Sequence, residues 1–146
     1  MKQIRIILAS NKKLIVQSID CVFSYKSGLE VVAKVYKVDQ LIDCLKSVPA
    51  DILLLDQQML DELYVWKNKT PKLINPNVKI LLLIDKYNDR SKGSLPGFNP
   101  DRNAYWEKGP SELINEILQM FYSSNAVKTK KSKVKFNFYI HGFNLN

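Results

Sequence analysis

The segment "ADILLLDQQM", residues 50–59, is a run of apolar residues that ends on an acid. Apolar side chains fill every position from Ile52 to Leu55, rather than every second position. This pattern is typical of a strand in a parallel sheet that helices cover on both faces. Asp56 follows at the carboxyl end of the strand, which is where sheets of this kind carry their sites.

Segments on both sides of this strand repeat an alternation of strands and helices. Further apolar runs predict strands at residues 4–9, 29–36, 78–85 and 104–108. Apolar residues at helical spacing predict helices at residues 11–25, 38–47 and 110–124. The alternation predicts an α/β fold with a five-stranded, doubly wound parallel sheet.

Two stretches fit a regular helix poorly. Residues 61–76 should contain the third helix, but Pro71 and Pro76 interrupt them. Residues 86–103 contain two glycines and two prolines, which together break helices. We therefore expect an irregular segment where a fourth helix would stand.

The chain has 146 residues, a length that suits one ordinary domain. We predict a domain over residues 1–124 and a basic, aromatic tail over residues 125–146. That tail is shorter than the roughly 50 residues of a small domain, so we expect no helix-turn-helix output domain in it. It contains no acid and five lysines, which are Lys128, Lys130, Lys131, Lys133 and Lys135.

The tail has two interpretations. Lysines attract phosphate backbones and aromatic rings stack on exposed bases, so the five lysines are candidate nucleic-acid-binding residues. Alternatively, the tail is a solvated terminus, or "VKFNFYI" docks locally as an extra strand. The sequence leaves this choice open.

The sequence gives no sign of a membrane partner. No apolar run approaches the roughly 20 residues that cross a bilayer, and we find no signal or transit peptide. The chain has 19 Lys and 3 Arg, a bias that is typical of AT-rich genomes. We expect a cytoplasmic or plastid-stroma location.

Three segments together carry a family resemblance: "IRIILASNKK", "ADILLLDQQM" and "AYWEKGPSEL". In this order and spacing they resemble the receiver domain of response regulators from two-component signalling, over residues 3–124. The resemblance places Asp56 at the phosphoacceptor position, Lys108 at the position of the family's lysine and Tyr105 at that of its switch aromatic. It implies the strand order 2-1-3-4-5.

The departures from the family pattern predict a degenerate site. Receivers hold Mg²⁺ with an acidic pair after the first strand, and here these positions are Ser10 and Asn11. Mg²⁺ prefers carboxylate ligands, and phosphoryl transfer depends on the charge that it neutralises. We therefore expect no metal and no other cofactor, although Asn11 could still bind Mg²⁺ weakly. The family's Ser/Thr after the fourth strand is replaced by Ile84, or by Asp85 if the register slips.

Three roles remain open for Asp56. It could form an ion pair with Lys108 across the cleft, and Asp85 could share the same lysine. It could act as an occasional phosphoacceptor, or be a solvated acid without a role. Trp66 and Trp106 could either finish packing helices against the sheet or be exposed where receivers meet partners.

The leading hypothesis is an atypical, non-enzymatic regulatory protein in transcriptional control, similar to a shortened plastid-type response regulator. Its phosphorylation would be impaired or absent, and its partner would be a sensor kinase or the transcription machinery. Direct contact with DNA and dimerisation are also open. One alternative is a nucleic-acid-binding protein that uses the basic tail, and another is a weakly phosphorylatable receiver with Asp56 as phosphoacceptor.

Overall fold

The computed structural model describes residues 2–85 and 100–126, whose strands form one parallel sheet. The strands are β1 Ile4–Ala9, β2 Leu29–Val35, β3 Ile52–Asp56, β4 Lys79–Ile84 and β5 Arg102–Tyr105. The helices are α1 Lys13–Ser24, α2 Val38–Ser47, α3 Gln57–Lys67, α4 Pro71–Ile74 and α5 Pro110–Ala126. The strand order β2-β1-β3-β4-β5 confirms the predicted α/β fold and topology.

The strand β3 lies at the centre of the sheet because it pairs with β1 on one side and β4 on the other. All five of its residues are buried. Successive side chains of a strand point to opposite faces, so β1 contributes to two core layers. Ile6 and Leu8 pack with α1 and α5, whereas Ile7 and Ala9 pack with α2 and α3. This two-sided burial explains the uninterrupted apolar runs.

The third helix begins earlier than the sequence predicted. It starts at Gln57, directly after β3, and ends before Asn68, which adopts a left-handed conformation with φ of 50°. Pro71 then begins the short helix α4, a position at which its fixed φ and missing N–H carry no penalty. The proline that was expected to interrupt one helix therefore begins another.

The edge strand β5 is shorter and earlier than predicted, because residues 106–108 form a 3₁₀ turn. Residues 86–99, where an irregular segment was expected, lie outside the described residues, as do the five tail lysines. The last described helix continues to Ala126. Within residues 2–85 and 100–126, no helix is both long and apolar enough to cross a membrane.

Candidate functional site

The carboxyl edge of the sheet brings two of the predicted site residues together. In the register of β1 and β3, Ala9 pairs with Leu55, so the residues that follow them meet at the same edge. The hydroxyl Oγ of Ser10 donates a hydrogen bond of 2.8 Å to Oδ2 of Asp56. The resemblance placed these residues at a metal-ligand position and at the phosphoacceptor position, and the fold makes them direct neighbours.

Asp56 is a buried helix cap, with 6% of its surface exposed. Its Oδ1 accepts a hydrogen bond of 2.8 Å from the backbone N–H of Gln58, so the side chain caps the N-terminus of α3. Its Oδ2 accepts the hydrogen bond from Ser10. Acceptors of this kind satisfy the free N–H groups at a helix start, and a negative charge there is favourable.

Ser10 is buried, with 3% of its surface exposed, and connects three segments. Its backbone N–H donates to the carbonyl of Val35 at 3.0 Å, which joins the end of β1 to β2. Its hydroxyl oxygen accepts a hydrogen bond of 3.1 Å from the N–H of Lys12. The hydroxyl thus supplies Asp56 with a hydrogen-bond donor at a position where the family pattern has a carboxylate.

Asn11, the second degenerate metal position, contacts α3. Its Nδ2 donates to Oε1 of Glu62 at 3.0 Å. Exchanging the amide N and O would place two oxygen atoms against each other, so this orientation is the favourable one. Its Oδ1 and the Oε1 of Gln57 are buried and have no donor in the described residues.

These oxygen atoms fit a strong Mg²⁺ site poorly. The two oxygens that lack a donor, on Asn11 and Gln57, belong to neutral amides, whereas Mg²⁺ prefers carboxylates in near-octahedral oxygen ligation. Among the described residues, no group of three or more His, Cys, Asp or Glu could hold a metal ion. Weak binding of Mg²⁺ through Asn11 stays a prediction.

The predicted ion pair between Asp56 and Lys108 is not formed. Nζ of Lys108 lies 3.8 Å from Oε1 of Glu112 and 5.7 Å from the ring centroid of Tyr105. The Lys108 side chain is 62% exposed, whereas Asp56 is buried and both of its oxygens are hydrogen-bonded. Lys108 ends the 3₁₀ turn and Glu112 lies in the first turn of α5, so the two side chains meet across the junction at Gly109.

The other switch positions lie at the ends of β4 and β5. Tyr105 pairs with Ile84 in the sheet and packs, partly buried, against the core layer of α2 and α3. Ile84 is fully buried and has no hydroxyl, and Asp85 directly after it is partly buried. The switch roles of Tyr105 and Asp85 stay predictions.

A second feature of this edge was not foreseen from the sequence, a cleft of about 560 Å³ beside α2. It is lined by Asn11, Lys13, Tyr36, Lys37, Val38, Asp39, Glu62, Trp66 and Lys67.

Trp66 is 77% exposed, so the interpretation that it packs a helix against the sheet is wrong. Trp106, by contrast, is partly buried and packs against the core layer of α1 and α5. The alternative that Trp66 is exposed where receivers meet partners was the one sequence-based interpretation that pointed to this surface.

Comparison with known proteins identifies the fold. No protein-family model matches the chain, and no curated protein matches it. Among solved structures, the RcsB response regulator of Salmonella typhimurium, studied for conformational dynamism in DNA interaction, matches with a TM-score of 0.71 and 17% identity. The match covers 84% of this chain and 62% of that one. The chain therefore spans less than two thirds of the RcsB chains in the structures on DNA interaction.

An isolated receiver domain and a chain from a two-protein complex also have the same fold as this chain. The isolated REC domain of RcsB from Salmonella enterica serovar Typhimurium has a TM-score of 0.70 at 17% identity, covering 83% of this chain and 90% of that one. A chain from the complex of the CheA3 P1 domain with CheY6 from R. sphaeroides has a TM-score of 0.60 at 18% identity, covering 80% and 95%. The chain has the fold of a response-regulator receiver.

Proposed function

We propose that this chain is a receiver-like regulatory protein, not an enzyme, that acts through contacts with protein partners and largely without phosphorylation of Asp56. The proposal rests on the burial and hydrogen bonding of the Asp56 carboxylate. Its carboxylate is buried, and both oxygens already accept hydrogen bonds from Ser10 and from the N–H of Gln58.

Phosphorylation of this carboxylate meets two obstacles. The carboxylate oxygen that attacks the phosphoryl group would have to break its hydrogen bond to Ser10 or to the N–H of Gln58. A buried donor that is left without an acceptor costs about 1–3 kcal/mol. The reaction also relies on a metal ion to neutralise charge, and Ser10 and Asn11 provide no carboxylate for it. Each 1.4 kcal/mol lowers a rate about tenfold, so these obstacles together slow phosphorylation strongly.

Intact mass spectrometry tests this proposal. Wild type and Asp56→Asn are incubated with Mg²⁺ and acetyl phosphate, and circular dichroism verifies that both are folded. We expect no phosphoryl adduct on either protein. An adduct on the wild type that is absent from Asp56→Asn would overturn the proposal and support the weakly phosphorylatable receiver.

The partners proposed for this chain are a sensor kinase or the transcription machinery. Support comes from the neighbours of its fold, since the RcsB structures concern DNA interaction and CheY6 was solved with the P1 domain of CheA3. The same resemblance supports the proposal of a role in transcriptional control. The excess of Lys over Arg supports only the proposed origin, a plastid or a low-GC bacterium. Dimerisation remains part of this proposal.

A second candidate function, direct binding of nucleic acid, is favoured by the charge of residues 125–146, which hold five lysines and no acid. Each phosphate contact adds about −0.9 to the slope of log K against log salt on duplex DNA. We expect a variant with all five lysines replaced by Gln to lose most of that slope. A wild-type protein that binds neither DNA nor single-stranded RNA at low salt would remove this candidate.

A further inference from the structure

The cleft beside α2 does not include the candidate phosphoacceptor Asp56, although it adjoins the candidate site at Asn11. It lies between the start of α1, the start of α2 and the outer face of α3, which contribute Lys13, Val38 and Trp66. Its volume of about 560 Å³ lies within the range of roughly 300–1,000 Å³ that is typical of small-molecule sites. The cleft is therefore large enough for a ligand of moderate size.

Two aromatic side chains line this cleft. Trp66 is 77% exposed on α3, although its indole is the largest apolar side chain available to a core. Tyr36 is partly buried after β2, and the ammonium of Lys13 lies 5.7 Å from the centroid of its ring. A flat ring that entered the cleft would bury apolar surface of Trp66 and could stack on it, an interaction that tolerates many ring types.

The charges of the cleft favour an anion. Its lining has three lysines, Lys13, Lys37 and Lys67, against two acids. Asp39 forms an ion pair with Lys67 at 3.1 Å, whereas Glu62 keeps its charge and accepts a hydrogen bond from the neutral amide of Asn11. The remaining cations, Lys13 and Lys37, have no carboxylate partner in residues 2–85 or 100–126.

The N-terminus of α2 also favours an anion in the cleft. Lys37 occupies the N-cap position of α2 but makes no side-chain cap, and Val38 of the first turn lines the cleft. The positive end of the α2 dipole therefore adds to the field of the lysines.

From the rings and the lysines together, we propose that this cleft binds a small anion that carries a flat ring, with a nucleoside monophosphate as the representative of the class. The base stacks on Trp66, and the phosphate contacts Lys13 and Lys37. Such a site would give the protein a chemical input that does not depend on Asp56. The proposal goes beyond the regulatory function above and does not rest on it.

The experiment is calorimetric titration of the full chain with AMP, adenosine and inorganic phosphate, with tryptophan fluorescence as a second readout. We expect saturable binding of AMP that is tighter than that of adenosine or phosphate and that weakens as salt is added. Equal affinity for AMP and adenosine would overturn the anion half of the proposal. Equal affinity for AMP and phosphate would overturn the stacking half, and no saturable binding would overturn both.

Three variants locate the site. Trp66→Ala should weaken AMP binding by about fivefold or more, given the strength of stacking between bases and aromatic side chains. Lys37→Ala should weaken AMP binding but leave adenosine binding unchanged. The matched control is Tyr25→Ala, which removes an aromatic that is 86% exposed at the other end of α1.

These substitutions lie at exposed positions, and circular dichroism verifies folding of each variant. AMP affinity that is unchanged in both Trp66→Ala and Lys37→Ala would overturn the assignment to this cleft. Binding that is lost instead on replacing the five tail lysines with Gln would do the same.

Discussion

Ser10 shows how one side chain changes the chemistry of the carboxyl edge. A second carboxylate at this position would repel Asp56 unless a cation lay between them. The serine hydroxyl instead donates a hydrogen bond to Asp56 and accepts one from the N–H of Lys12. In this structure neutral donors, the Ser10 hydroxyl and the N–H of Gln58, therefore satisfy both oxygens of Asp56.

Replacement of Ser10 by Ala should destabilise the fold. The substitution leaves one oxygen of the buried Asp56 and the N–H of Lys12 without their partner, at a cost of about 1–3 kcal/mol. Urea denaturation measures the loss, and Ser18→Ala is the matched control because Ser18 is exposed on α1. Equal stability of the two variants would show that the hydroxyl of Ser10 makes no net contribution.

The amino edge of the sheet contains a second acid, Asp51, whose contribution depends on pH. Its carboxylate accepts hydrogen bonds from the backbone N–H of Arg5 at 2.8 Å and from the guanidinium at 3.3 Å. Burial, the largest single influence, raises the pKa of Asp51. The hydrogen bonds and charge of Arg5 together outweigh it and keep the pKa below its ordinary value of 3.8.

A lowered folded-state pKa means that the ionised form of Asp51 stabilises the fold above the unfolded-state pKa. That contribution disappears as the pH falls through the folded-state pKa. We expect Asp51→Asn to be about 1–3 kcal/mol less stable than wild type at neutral pH, with a difference that shrinks below pH 3.8. Urea denaturation across this range measures it, with Asp43→Asn at an exposed position as control. A difference that is constant with pH would contradict the expectation.

The side-chain contacts of the site were harder to predict than its position. The apolar run before Asp56 placed it at the carboxyl edge, and the structure puts it there. Its hydrogen bond to Ser10 joins residues 46 positions apart, and no local pattern encodes such a contact. The ion pair with Lys108 failed for a local reason instead, because Glu112 is only four residues from Lys108 and its Oε1 lies 3.8 Å from the ammonium.

At the scale of the helix, Asp56 is the reason that α3 begins where it does. Asn is as good an N-cap as Asp, whereas Ala costs about 0.5–2 kcal/mol at that position. We therefore expect Asp56→Asn to stay closer to wild-type stability than Asp56→Ala, as measured by urea denaturation. Equal losses in both variants would mean that the charge of Asp56, rather than its capping oxygen, stabilises the helix.

The elements were predicted with different success. Strands β1 to β4 follow from their apolar runs, and the predicted bounds of β1 and α2 agree with those observed. The start of α3 was missed because the apolar periodicity of residues 57–67 is weak, so the cap rather than the pattern fixes it. The position of β5 was shifted because residues 106–108 turn instead of extending.

At the scale of the whole molecule, one sheet separates two core layers, and no side chain of residues 2–85 or 100–126 belongs to both. Ile19 belongs to the layer of α1 and α5, whereas Ile80 belongs to the layer of α2 and α3. Both side chains are at most 2% exposed. A change of packing in one layer can affect the other only through the strands that both layers contact. We therefore expect substitutions in the two layers to have additive effects on the free energy of unfolding. We also expect the two layers to unfold in one cooperative transition.

Two conservative substitutions test this arrangement. Ile19→Val and Ile80→Val should each lower the free energy of unfolding by about 0.5–1.5 kcal/mol, because each removes one buried methylene. The double variant should lose the sum to within about 0.5 kcal/mol, since residues without shared partners rarely couple. Circular dichroism and tryptophan fluorescence should give coincident urea transitions in all variants. Two separate transitions would mean that the layers unfold independently, and a large coupling energy would mean that the sheet transmits packing strain between its faces.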